Sequence, residues 1–98
     1  MENENLIPLH QLCRHYNIEF SFIESLDEFG LVRITTIDET RYIFIEQIQP
    51  LEKMIRLHYD LDINLEGIEA ISHLLEKLDS LQEELRITRN RLTRYERD

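Results

Sequence analysis

The carboxy-terminal third of this 98-residue chain is what most limits its fold. No Gly or Pro follows Gly67, and Ile71, Leu74, Leu78, Leu81, Leu85 and Leu92 recur at alternating steps of three and four, with Thr88 in the gap. A heptad stripe of that length predicts one long helix, from a cap at Asn64 to about Tyr95, that needs a second strand to cover it. Ile68 and Leu75 widen the stripe at its start, so the first turns are expected to pack on a domain. Beyond Leu81 the narrow stripe needs a partner. Asn64 is expected to accept from the amides of Glu66 and Gly67. Gly67 costs about 1 kcal/mol relative to Ala in a helix, which implies close packing there. Charge is divided along the helix: Glu66, Glu69, Glu76, Asp79, Glu83 and Glu84 precede Arg86, Arg89, Arg91, Arg94 and Arg97. Two copies placed antiparallel set each basic end toward the other's acidic stretch, so an antiparallel homodimer is expected, with the Ile71 to Leu92 stripe as its dimerisation residues.

The first two thirds read as a compact helix-turn-helix. Leu9, Leu12, Cys13, Asn17, Ile18, Ile23, Leu26, Gly30 and Leu31 carry apolar and turn residues at its spacing. A first helix is expected from Pro8 or Leu9 to His15, since Pro costs no hydrogen bond in a first turn. Asn17 tolerates the left-handed conformation that a tight turn needs. A second helix from about Glu19 to Phe29 puts Phe22, Ile23 and Leu26 inward and stops at Gly30. From Leu31 to Ile45, β-branched and aromatic residues flank the polar cluster Asp38-Glu39-Thr40, the pattern of a β-hairpin wing. A third helix is expected from Glu46 to Tyr59, with Pro50 near its start and Ile48, Leu51, Ile55 and Leu57 or Tyr59 on its buried side. The break from Asp60 to Asn64 ends it. The expected fold is mainly α: a winged helix-turn-helix domain over residues 1–63, with a small β-hairpin wing, and a long carboxy-terminal helix forming a coiled coil over 64–98.

Charge separates this scaffold from a DNA reader. The second helix presents Glu19, Glu24, Asp27 and Glu28, with no Lys or Arg between Asn17 and Val32. Affinity for DNA comes mostly from Lys and Arg displacing counterions, and this face repels phosphate. Arg33 and Arg41 are the wing's only basic groups, and Asp38 and Glu39 stand at its tip. The net charge of -9 argues against nucleic acid and anionic membrane alike. A basic protein surface is the complementary partner. Two acidic sets are candidates to meet it: Glu19, Glu24, Asp27 and Glu28 on the second helix, and Asp60, Asp62 and Glu66 around the break. Both are expected to face solvent, so that reversing their charge alters stability by about 0.5 kcal/mol or less.

Other function classes find little support in the residues. Cys13, the sole cysteine, excludes an internal disulfide and reads as a small buried hydrophobe. His10, His15, His58 and His73 share no i, i+4 spacing, so no metal site is expected. Without a glycine-rich loop, nucleophile elbow or paired base, neither a catalytic residue nor a cofactor is expected, and the chain reads as no enzyme. The acidic, polar stretch from Met1 to Asn5 and the lack of an apolar run of roughly 18 residues point to the cytoplasm.

The run Arg56-Leu57-His58-Tyr59-Asp60-Leu61-Asp62-Ile63-Asn64-Leu65-Glu66-Gly67-Ile68 resembles the chaperone modulator family, the CbpM-like proteins, within the MerR-like helix-turn-helix proteins. The wider resemblance runs from Leu9 to about Leu92. It implies a small bacterial protein that binds the J-domain of a CbpA-type co-chaperone and restrains its work with a DnaK-type chaperone. A J-domain exposes a basic helix, which an acidic protein would cover. MerR-like DNA readers usually carry Arg and Tyr in the second helix, where this chain has Glu24, Ser25 and Leu26. Two other readings stay open at this point: a MerR-like transcriptional regulator that binds DNA, and a structural adaptor dimer.

Overall fold

The computed structural model describes residues 5–97. In chain order the elements are β1 (Leu6–Pro8), α1 (Leu9–Tyr16), α2 (Phe20–Glu28), β2 (Ile34–Ile37), β3 (Thr40–Phe44), α3 (Ile48–Ile55) and α4 (Leu65–Arg97). A 3₁₀ turn at Ile45–Gln47 leads into α3, and a π-helical turn at Arg56–Asp60 leads out of it.

The turn and cap chemistry decides the amino-terminal half. Asn17 closes α1 at φ 58 and ψ 50 and hands its backbone amide to the Cys13 carbonyl. Gly30 ends α2 at φ 77, its amide bonded to Asp27 O, and the Leu31 amide reaches back to Leu26 O at 2.9 Å. Both residues supply the left-handed backbone that lets a helix carbonyl find a donor past its end. In the hairpin, Ile37 pairs with Thr40 across Asp38 and Glu39, which hold φ 51 and 66. Two positive φ values are what a two-residue turn needs to match the strand twist.

Two parts differ from the sequence expectation. The wing is not a free hairpin: β1 pairs antiparallel with β3, Leu6 opposite Phe44 and Pro8 opposite Tyr42, giving a three-stranded sheet of order β1-β3-β2. Pro8 is tolerated because β1 lies on an edge. The third helix spans the expected stretch, helical without a break from Ile45 to Asp60, but it is not uniformly α-helical. It begins as a 3₁₀ turn, is α-helical only over Ile48–Ile55, and then widens, with the Leu61 amide bonded to Arg56 O and the Ile63 amide to Leu57 O. Within α3 the inward side is Leu51 and Met54; Ile48 and Ile55 only flank the core, and Tyr59 lies exposed. The wider turn carries the chain past the phase that a regular 3.6-residue repeat would keep.

Leu9, Ile23, Leu26, Ile43, Leu51 and Ile68 are at most 1% exposed. They come from α1, α2, β3, α3 and the first turns of α4, so the long helix is rooted in the core it leaves. Each such side chain contributes roughly 1.5–3 kcal/mol by burial. The root is also capped: Asn64 Oδ1 accepts the Gly67 amide at 2.8 Å. A Cβ on Gly67 would lie 2.6 Å from Ile63 Cγ2 and 3.1 Å from that capping oxygen. Only glycine fits under both.

Candidate functional site

The outer face of α2 holds the first acidic set. Glu19 stands exposed at its start, and Glu28 is exposed on its last turn. Glu24 is half-buried: its carboxylate meets the Arg41 guanidinium at 3.0 Å, and Arg41 lies over the Phe20 ring at 4.3 Å. Asp27 is exposed, yet its Oδ1 accepts the Ile34 amide at 3.2 Å. The expectation that charge reversal along this helix is structurally silent therefore fails at Glu24 and Asp27, because both tie α2 to the sheet. Glu19 and Glu28 keep it. Arg41, one of the wing's two basic side chains, is turned back onto α2 rather than outward.

The second set surrounds the break. Asp60 ends the π turn, Asp62 holds φ 59, and Glu66 lies in the first turn of α4; all three are exposed. An aromatic cluster fixes this segment against α2. The His58 ring stacks on Phe22 at 4.6 Å between centroids, 19° from parallel, and Tyr59 meets both rings edge-on. His58 Nδ1 lies 2.9 Å from the Ile63 carbonyl, which can only accept, so this nitrogen is the donor of that bond. The Glu19 amide donates to the Tyr59 hydroxyl at 3.2 Å. The two acidic sets thus border one joint. His58 and Tyr59 stand in the motif at positions 56–68, but periodicity gave no sign of their role.

Beside the joint, Leu57, Leu61, Ile71 and Leu75 floor an apolar groove of about 560 Å³, edged by Lys53, Arg56 and Asp60. From its mouth the α4 stripe runs outward. Ile71 is half-buried, Leu74 is 65% exposed, and Leu78, Leu81, Leu85 and Leu92 are all exposed. These leucines span about 30 Å of helix.

The remaining titratable groups support the frame. Burial pushes the Cys13 thiol up from its usual range, which disfavours the reactive thiolate. The Tyr16 hydroxyl donates to Glu52 Oε2 at 2.6 Å, joining α1 to α3, and that bond raises the phenol's pKa. On the exposed second half of α4, Glu83 is ion-paired to Arg86, which holds its carboxyl below the usual carboxylate range.

The site thus pairs an acidic second helix braced by its own wing with a long helix that leaves the core carrying an exposed leucine stripe. A family model described as the MerR HTH family regulatory protein matches residues 7–90. The chain belongs to that family. It is similar to the chaperone modulatory protein CbpM of Escherichia coli O1:K1, 26% identical over 86 residues that cover 87% of this chain and 85% of that protein. The chaperone modulatory protein CbpM of Pseudomonas entomophila (strain L48) is 22% identical over 90 residues, 91% of this chain and 89% of its own length. No solved structure matches the chain. The family is one of regulators and the relatives are named as modulators; none of these names describes an enzyme. Among the described residues, no helix is long and apolar enough to cross a membrane.

Proposed function

We propose that this chain is a chaperone modulator that binds the J-domain of a co-chaperone and keeps it from working with a DnaK-type chaperone. The observation that carries this reading is the match along more than four fifths of two chaperone modulatory proteins. The acidic helix-turn-helix surface gives it a physical basis. Where a DNA reader would place Lys and Arg, α2 offers carboxylates and a wing cation already paired to Glu24. A basic helix docked there loses its own access to an acidic chaperone surface, so occupancy alone accounts for inhibition. The exposed stripe on α4 supports a homodimer, antiparallel by its charge division, as the working form. The cytoplasm is the compartment where such a partner is met.

Titration calorimetry of the protein against a cognate J-domain at low salt tests the reading. Binding is expected, and it should weaken as salt rises past roughly 0.15 M, where the Debye length is about 8 Å. No heat of binding at low salt overturns it. Sequence-specific DNA affinity under the same conditions would favour a transcriptional regulator instead.

A further inference from the structure

We infer that Phe20 and Glu24 form a seat for one cationic side chain, that Arg41 holds this seat in the chain by itself, and that an arginine or lysine of the basic partner enters by displacing it. This rests on the chaperone reading above and adds the contact through which the α2 face recognises its partner. Phe20 and Glu24 stand four residues apart, one above the other on the same side of α2. Phe20 is 37% exposed, while Phe22, Ile23 and Leu26 of the same helix are buried. A guanidinium already lies against both groups: Arg41 Nη1 is 3.0 Å from Glu24 Oε2, and Arg41 Cζ is 4.3 Å from the centre of the Phe20 ring. A carboxylate that balances charge and a ring face that attracts a cation are together what selects an arginine or lysine side chain. The seat is thus seen filled, by a stand-in from its own chain.

The pleat of β3 delivers Arg41 to this place. Arg41 and the fully buried Ile43 are two residues apart, so both leave the sheet on its core-facing side, and Arg41 lies past the edge of the core over α2. The wing has other anchors. Asp27 accepts the Ile34 amide, the Gln47 side-chain amide bonds both the N–H and the carbonyl of Arg33, and β1 pairs with β3. The Arg41 and Glu24 side chains remain 42% and 45% exposed, so water competes for both and the pair opens readily. Pair and ring contact together keep the seat closed roughly nine-tenths of the time. A partner that needs it open then binds about tenfold more weakly than it would to an open seat. Exchange leaves Glu24 paired throughout, so a lone cation gains nothing over Arg41. A basic helix does gain, because Glu28 stands exposed one turn past Glu24 on the same side of α2 and receives a second cation four residues from the first. Arg41 therefore makes the face selective for clustered positive charge.

The test is calorimetric titration of the full chain with a J-domain at low salt, comparing the wild type with Arg41→Gln and Arg33→Gln. Each variant removes one exposed wing cation, but only Arg41 occupies the seat. Arg41→Gln should bind about tenfold more tightly than the wild type, and Arg33→Gln no more than about twofold, the general effect of less repulsion. In a Glu24→Gln chain the tenfold gain should shrink to that same twofold, because it works through the seat. Phe20→Leu, placed in the Arg41→Gln chain, keeps apolar contact but removes the ring face and should weaken binding about threefold. Circular dichroism melts confirm that each variant is folded. The same series is run with a synthetic helical peptide carrying arginines four residues apart, followed by the Phe20 ring resonances in NMR spectra. Equal gains from Arg41→Gln and Arg33→Gln, no gain from Arg41→Gln, or a gain that persists without Glu24 overturns the seat and leaves the chaperone reading in place. Peptide binding that follows the expected order in a chain that gives no heat with the J-domain keeps the seat and removes the chaperone reading.

Discussion

α2 turns Phe22, Ile23 and Leu26 into the core and shows water a face of carboxylates, two of them held by the wing. α4 buries Ile68 at its root and then shows water a ladder of leucines. The first face is stable as it stands, because ionised groups are well solvated and Glu24 and Asp27 already have partners. The second leaves apolar area in water from Leu74 outward, and covering it is favourable at roughly 25 cal/mol per Å². The two therefore ask for partners on different grounds. The α4 stripe needs desolvation and tolerates little else, while the α2 face needs a complementary charge and is sensitive to salt. On the proposed function, self-association through the stripe would hold constant while the grip of the α2 face on a J-domain varied with ionic conditions.

The sharpest way to break this contrast is to put charge into the apolar stripe. Leu78→Asp with Leu85→Asp should cost several kcal/mol of dimer stability, because carboxylates would be buried without partners. Sedimentation should then find a folded monomer; a dimer that survives would mean the stripe is not the interface.

On the acidic side, reversal should divide into two classes. Glu24→Lys and Asp27→Lys each remove a bond to the sheet and should cost about 1 kcal/mol of stability. Glu19→Lys and Glu28→Lys should stay within about 0.5 kcal/mol. All four should weaken J-domain binding, the latter two without a change in melting. Equal melting losses across the four would erase the distinction between bracing and solvent-facing carboxylates.

The last expected effect is at the brace between α1 and α3. The Tyr16 phenol's pKa is raised in the folded chain by its bond to Glu52, so the bond's contribution is complete below the ordinary phenol range near 10 and is lost as pH rises through the elevated value. Tyr16→Phe should lower stability by about 1 kcal/mol near neutral pH and flatten the alkaline decline seen in denaturant titrations of the wild type. An unchanged alkaline limb would mean that Glu52 does not hold the phenol.

What the sequence made legible was chemistry that is local. Asn17, Gly30 and Asn64 each act within four residues of themselves, and the leucine stripe carries its period on its face. The features that escaped depend on distant partners or on phase. β1 is three residues long and becomes a strand only because β3 lies alongside it, more than thirty positions later. The π turn at Arg56–Asp60 leaves no periodic mark, since one extra residue in a turn looks like noise in an apolar pattern. Arg41 pairs with Glu24 across seventeen positions, and nothing around either residue announces it. For the same reason the acidic residues on α2 could be located, but not sorted into those that brace the sheet and those that are free.

The Asp27 carboxylate also governs what can happen at the border of the sheet. β2 is an outer strand, and the pairing of Ile37 with Thr40 across a two-residue turn leaves the Ile34 and Thr36 amides pointing away from β3. Such a row is an invitation for a foreign extended chain to add itself, the route by which sheets aggregate. Asp27 occupies the Ile34 amide and sets a negative charge in the path of any incoming strand. Neutralising it would loosen the wing and also unguard a border that would otherwise be open to unfolded polypeptide.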